Sequence, residues 1–215
     1  MHVGRGRRAG LRFDADHGVA TEALIFLGQL DPEAIGPSLE DATHYEPTPV
    51  ADFDALLAAV PIPVQGTTFV DLGCGLGRTL ILAAQRPFRQ VLGVEISPAL
   101  AAIARDNLAA FATSERACRD VRVVCRDAKD AKLPPGDLVV YLYNPFRGAV
   151  MRAVVERLAG VSGRALYVVY HTPEQRGVFE ASGAFELAAE LPFGVVYRRG
   201  AASSSGEAAG RSVTA

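Results

Sequence analysis

From Gly66 onward the chain alternates short apolar runs with stretches of helical periodicity, and this alternation narrows the possible folds more than any other feature. The runs are "TTFV" (Thr67 to Val70), "VLGV" (Val91 to Val94), "VRVVC" (Val121 to Cys125), "LVVYLY" (Leu138 to Tyr143) and "ALYVVY" (Ala165 to Tyr170). Between them "RTLILAAQ", "PALAAIARDNLAAF" and "AVMRAVVERLAG" carry apolar residues at helical spacing. Strands rich in Val and Leu without strict alternation suit a parallel sheet covered on both faces. Repeated strand–helix units of this length predict a doubly wound α/β fold. After Thr172, "AFELAAELPF" and "GVVYRR" read as a closing antiparallel hairpin. Upstream, "TEALIFLGQL" (Thr21 to Leu30) reads as a short helix capped by Thr21. "DFDALLAAV" (Asp52 to Val60) reads as a second helix, ended by Pro61 and Pro63.

At 215 residues and 49% hydrophobic composition, the chain can bury the core of one domain. The expected organisation is a disordered N-terminus over residues 1–12, a helical extension or lid over 13–60, a core over 61–199 and a disordered tail over 200–215. The one basic cluster, "RGRR" at Arg5 to Arg8, reads as a solvated end. The tail "GAASSSGEAAGRSVTA" is small, polar and aperiodic. A net charge of −2 gives no global sign of nucleic-acid steering. Cys74, Cys118 and Cys125 form no C-x-x-C pair, which argues against a disulfide framework or a zinc site, and no other cluster has metal-ligand spacing. No apolar run reaches the roughly 18 residues of a membrane span. The first residues lack the apolar stretch of a signal peptide. The cytoplasm is the expected compartment.

An open parallel sheet delivers every strand's carboxyl end to one edge, where ligands bind. Asp71, Glu95, Asp127, Asn144 and His171 each stand at or just beyond the end of an apolar run. Five polar residues there, three of them carboxylates, point to a ligand with hydroxyl, amine or positive groups. The first strand runs into "DLGCGLGR", where Gly73, Gly75 and Gly77 surround Cys74 and permit a tight turn with close backbone approach. This is not the dinucleotide spacing G-x-G-x-x-G, because position 78 is arginine and the third glycine falls one residue early. Asp71 would also repel a pyrophosphate, by on the order of a kcal/mol or more at partly shielded range. A ligand bearing an ammonium and a sulfonium reverses that sign. Glu95, followed by Ile96, can accept from both hydroxyls of a ribose, and Asp127 with the Ala128 N–H can meet an adenine. Each has a plainer reading as a helix-leading or turn acid.

"VDLGCGLGR", "GVEISP" and "CRDA", in this order and spacing, resemble class I S-adenosylmethionine-dependent methyltransferases over roughly Tyr45 to Arg199. "FDADHGVATEALI" (Phe13 to Ile25) and "HYEPTP" (His44 to Pro49) resemble a bacterial branch of that superfamily. The resemblance implies S-adenosylmethionine as cofactor and a mostly parallel, Rossmann-like sheet of seven strands with a reversed last hairpin. It implies Asp71, Gly73, Cys74, Gly75 and Gly77 near the methionine part, Glu95 on the ribose and Asp127 at the adenine.

On the acceptor side, "YLYNPF" (Tyr141 to Phe146) is similar to the motif of methyltransferases acting on nitrogen, in which a polar side chain and a proline carbonyl hold the nitrogen and an aromatic packs on it. Only one proline is present, so the likeness is partial, and Asn144 as a helix cap, Pro145 as first helical residue and Phe146 as core anchor form the alternative. Tyr45 and Thr48 in "YEPTP" could reach the methionine end and Glu46 a substrate cation, or the segment is a rigid connecting loop. His171 is a general-base candidate or a partnered strand-end histidine; His17 and His44 carry less weight. The expected function is in-line methyl transfer to an unidentified acceptor, a protein or a small molecule, with nitrogen favoured. The alternatives are a non-catalytic S-adenosylmethionine-binding scaffold and a nicotinamide-dependent oxidoreductase.

Overall fold

The computed structural model describes residues 3–200. The tail expected to be disordered lies outside the described residues from Ala201 onward, as do the side chains of residues 3–7 and with them most of "RGRR". Seven helices occur among the described residues: α1 (Val3–His17), α2 (Pro32–Ile35), α3 (Val50–Ala58), α4 (Arg78–Ala84), α5 (Pro98–Ala110), α6 (Gly148–Ala159) and α7 (Arg176–Ala181). The strands are β1 (Thr68–Leu72), β2 (Gln90–Glu95), β3 (Val121–Cys125), β4 (Leu138–Tyr143), β5 (Leu166–His171), β6 (Phe185–Leu191) and β7 (Gly194–Arg199). They form one sheet in the order β3-β2-β1-β4-β5-β7-β6. The first five are parallel, and β7 pairs antiparallel with both β5 and β6. This is the doubly wound sheet with a closing hairpin that the sequence predicts. The winding direction reverses between β1 and β4, the switch point beside which such sheets bind ligands.

Successive strand residues point to opposite faces, and two hydrophobic layers result. Phe69, Val91, Val139 and Tyr141 pack with α3 and α4 residues on one face. Val70, Leu92, Val140 and Val168 pack with α6 and α7 residues on the other. Phe53 of α3 meets Phe69 edge-on at 5.8 Å and lies 5.6 Å from Tyr141. Complete burial of a side chain of this size stabilises by about 1.5–3 kcal/mol, so both faces hold the strand ends in fixed positions.

Three local expectations are corrected. Residues 3–12, read as disordered, belong to α1, whose Phe13 is 7% exposed. Thr21 to Leu30 is not a helix: Ile25 pairs with Tyr45 in an isolated antiparallel bridge, and only Leu27–Gln29 forms a 3-10 turn. The Asp14 carboxylate is the cause, accepting from the Thr21 N–H (2.7 Å), the Thr21 hydroxyl (2.6 Å) and the Glu22 N–H (2.7 Å) and so holding the segment extended. Asn144 does not cap α6, which begins at Gly148. The segment ahead of α3, expected from the sequence as a lid and so labelled below, supplies that cap, as the Val150 N–H donates to the Asp41 carboxylate at 3.0 Å.

Candidate active site

A cleft with about 930 Å3 of space, part of it open solvent, runs along the carboxyl ends of β1 to β4. Asp71, Gly73, Cys74, Gly75 and Glu95 form its floor, with Ile96, Asp127 and Ala128 towards the β3 end. Tyr45 and Thr48 from the lid, and Pro145 and Phe146 from the segment after β4, also line it. Most of the residues singled out in the sequence are therefore together. Gly77 and Asn144 are not in the wall: Gly77 packs against Ala104 behind the loop.

The glycines are needed for protein, not ligand, approach. Gly73 has φ +98°, and a Cβ on it would lie 2.6 Å from the Pro145 Cβ. Gly75 has φ +51°, and its added Cβ would stand 2.0 Å from the Tyr45 ring. Only glycine combines that backbone with such contacts. Tyr45 is anchored there by its hydroxyl, which donates to the Thr21 carbonyl at 2.8 Å. The loop thus seats the lid, and the ligand space lies beside it.

Asp71 is 3% exposed, and burial pushes its carboxyl up to about 7. The Thr79 hydroxyl donates to it and opposes the shift, while the charge of Glu95 adds to it. Burial also raises Glu95, against the N–H groups of Gly75 and Ser97, each 2.9 Å from one of its oxygens. Neither acid has an ion-pair partner among the described residues. Arg78 reaches the cleft wall, but its guanidinium is bound to Asp14 at 3.1 Å and Glu22 at 2.9 Å. Asp127 is different. Burial works to raise it, yet hydrogen bonds with Lys129 and Ser38 hold it below the ordinary carboxylate range. Lys129 joins the Asp127 carboxylate to the lid's Ser38 hydroxyl, 2.8 Å away. Two buried, unpaired acids suit a cationic ligand and oppose a diphosphate.

The segment after β4 serves the lid as well. The Thr43 hydroxyl donates to the Asn144 carbonyl, and the Thr43 N–H to the Pro145 carbonyl at 3.1 Å. The Asn144 side chain accepts from the Tyr170 hydroxyl at 3.4 Å. Thr48 is buried and bonds the Tyr141 hydroxyl at 3.2 Å. His171 is outside the wall, held between Asp52 (3.1 Å) and Thr172 (2.9 Å), and burial lowers its pKa. His17 bonds Glu115 at 2.8 Å, away from the cleft; His44 lines the cleft, 3.9 Å from Glu46. Sequence reasoning missed Arg78, Lys129, Asp41 and Tyr143. Apart from Asp127 and Asp130 beside Lys129, their partners lie 28 or more residues away, so spacing carried no signal.

Residues 69–161 match the family model described as "Methyltransferase domain". No curated protein matches the chain. Among solved structures it is similar to the T. thermophilus 16S rRNA methyltransferase RsmC, solved with AdoMet and guanosine (21% identity, TM-score 0.51). That alignment covers 69% of this chain but only 42% of RsmC. The 23S rRNA methyltransferase ErmE shows 16% identity and a TM-score of 0.51, over 74% of this chain and 70% of its own. The Pyrococcus horikoshii protein PH1948, whose name assigns it provisionally to RNA methylation, shows 18% identity and a TM-score of 0.55, over 83% and 94%. At these identities the likeness shows the fold. The sequence expectation that nucleic acid is not indicated finds no support in these names. Among the described residues no helix is long and apolar enough to cross a membrane.

Proposed function

We propose that the cleft binds S-adenosylmethionine and passes its methyl group to a nitrogen acceptor by direct in-line displacement. The observation that carries this reading is the pair Asp71 and Glu95, buried at adjacent strand ends without a basic partner among the described residues. Asp71 would hold the ammonium of the methionine part. Glu95 keeps lone pairs beyond its two backbone bonds for ribose hydroxyls, and Ile96, Asp127 and Ala128 would frame the adenine. When bound, the cofactor supplies a methyl group made electrophilic by its sulfonium, and its thioether leaves neutral. The chain therefore needs alignment and exclusion of water more than acid catalysis, and such positioning is worth roughly 7–11 kcal/mol. Tyr45, Thr48, Pro145 and Phe146 would do this work. Asn144 would act indirectly, because its carbonyl fastens the lid. Three free cysteines support a cytoplasmic location.

Calorimetry tests the reading. S-adenosylmethionine should bind, NADH should not compete, and Asp71→Ala and Glu95→Ala should each weaken binding at least about tenfold, the loss of one charge-assisted contact. Folded protein that fails to bind the cofactor overturns it. Binding with no transfer to any acceptor leaves the scaffold reading instead. A second reading, an RNA acceptor, is supported by the fold relatives RsmC and ErmE, which are named as rRNA methyltransferases.

A further inference from the structure

Resting on that reading, we infer that the acceptor is a polyamine or a lysine-rich peptide segment: Glu46 and Tyr143, at the open end of the cleft, hold one of its ammonium groups, while a neighbouring amine that has released its proton to solvent attacks the sulfonium methyl and becomes the methylated ammonium as the neutral thioether leaves. Tyr143 and Tyr141 share a strand face, but Tyr141 is 1% exposed while Tyr143, two residues nearer the carboxyl edge, is half-buried and reaches the cleft. Its ring is held rigidly, edge-on to His171 at 4.2 Å, and His171 is itself fixed by Asp52 and Thr172. Glu46 lines the same end and stands close enough that its charge, after burial, disfavours ionisation of the Tyr143 phenol. A fixed aromatic face beside a solvent-accessible carboxylate is a cation-binding combination, the ring through its quadrupole and the acid through its charge.

The surrounding charge has the same sign. Residues 38–48, the stretch that supplies most of the cleft's roof, contain Glu40, Asp41 and Glu46 and neither lysine nor arginine, with His44 3.9 Å from Glu46. Of the basic residues in the wall, Arg78 is tied to Asp14 and Glu22, and Arg126 adjoins Asp127 at the opposite end. A polyanion approaching Glu46 would meet like charge there, and a cation would be drawn in. The Asn144 and Pro145 carbonyls, the other candidates to orient an amine, each already accept from Thr43.

The test uses the full chain with tritium-labelled S-adenosylmethionine and three probes: spermidine, a lysine-rich peptide and a short single-stranded RNA. Label should enter spermidine or the peptide and not the RNA. Glu46→Gln, a change at an exposed side chain, should raise KM for the labelled probe about tenfold, leave kcat within about threefold, and leave cofactor affinity by calorimetry unchanged. Tyr143→Leu should raise KM in the same direction. Transfer to the RNA overturns the inference. So does an unchanged KM in Glu46→Gln, or absence of label in both cationic probes with protein that binds cofactor. Protein that binds no cofactor would overturn the methyltransferase reading instead, so the two failures are distinct.

Discussion

A carboxylate 3% exposed, with one hydroxyl donor and no cation, is destabilising in its charged form, and Asp71 is in that position. Its folded pKa, about 7, lies above the ordinary 3.8, so the penalty is absent below about pH 4 and complete above pH 7. Stability of the ligand-free protein should therefore fall as pH rises through this window, with Glu95, raised by burial too, adding the same sign. A cationic cofactor favours the ionised form. Its affinity should weaken about tenfold from pH 8 to pH 6, with proton release on binding near pH 6. Calorimetry in buffers of different ionisation enthalpy reads both, Asp71→Asn should flatten the profile, and a flat wild-type profile would refute the assignment. Arg78 makes a separate case. With a 3%-exposed side chain paired to two acids and set over the Phe13 ring at 5.0 Å, it is the anchor of α1. Arg78→Met should cost roughly 3–5 kcal/mol in urea denaturation, since two buried carboxylates lose their partner. Asp71 was legible in the sequence because its strand and glycine turn are contiguous. Arg78 was not, because Asp14 and Glu22 come from more than 50 residues upstream.

β1, β2, β4 and β5 were legible because each is an apolar run packed on both faces, so burial and local preference agree, while β3, at the sheet edge and only partly buried, was legible from its valines. β3 and β4 match the expected bounds, and β1 extends two residues further, to Leu72, which places Asp71 inside the strand. The lid was misread where tertiary contacts decide. "TEALIFLGQL" has a helical pattern, yet three hydrogen bonds to Asp14 and the Ile25–Tyr45 bridge keep it extended. The start of α6 shows the same limit. Asn144-Pro145 looks like a local cap, but Asn144 has φ 38° and the cap comes from Asp41, 109 residues from Val150. Asp41→Ala should lower stability by about 0.5–2 kcal/mol, read as a shift in urea midpoint at constant slope, with Asp41→Asn, whose amide oxygen can still accept from Val150, keeping most of the wild-type stability. Amide exchange at Val150 should quicken in the alanine variant, and an unchanged rate there would remove the cap assignment.

The segment 13–60 is fastened to the strand ends at four places: Arg78 after β1, Lys129 after β3, the Asn144 and Pro145 carbonyls after β4, and His171 ending β5, which meets Asp52. Roof and floor are thus one mechanical unit around the cleft, while the β6–β7 hairpin lies at the far edge of the sheet. A ligand filling the cleft touches both walls, so its binding energy should stabilise the roof as well as the loops beneath it. S-adenosylhomocysteine at about 100 times its Kd should add roughly 2.7 kcal/mol, a rise in Tm of about 5–10 °C for a chain of this size. Hydrogen exchange should slow over residues 38–48, 71–77, 94–97 and 126–129 together, and stay unchanged in the hairpin. Protection of the glycine loop without the roof would mean that the lid sits on the cleft without sharing the ligand. In that case the water exclusion assigned to Tyr45 and Thr48 would have to come from the acceptor itself.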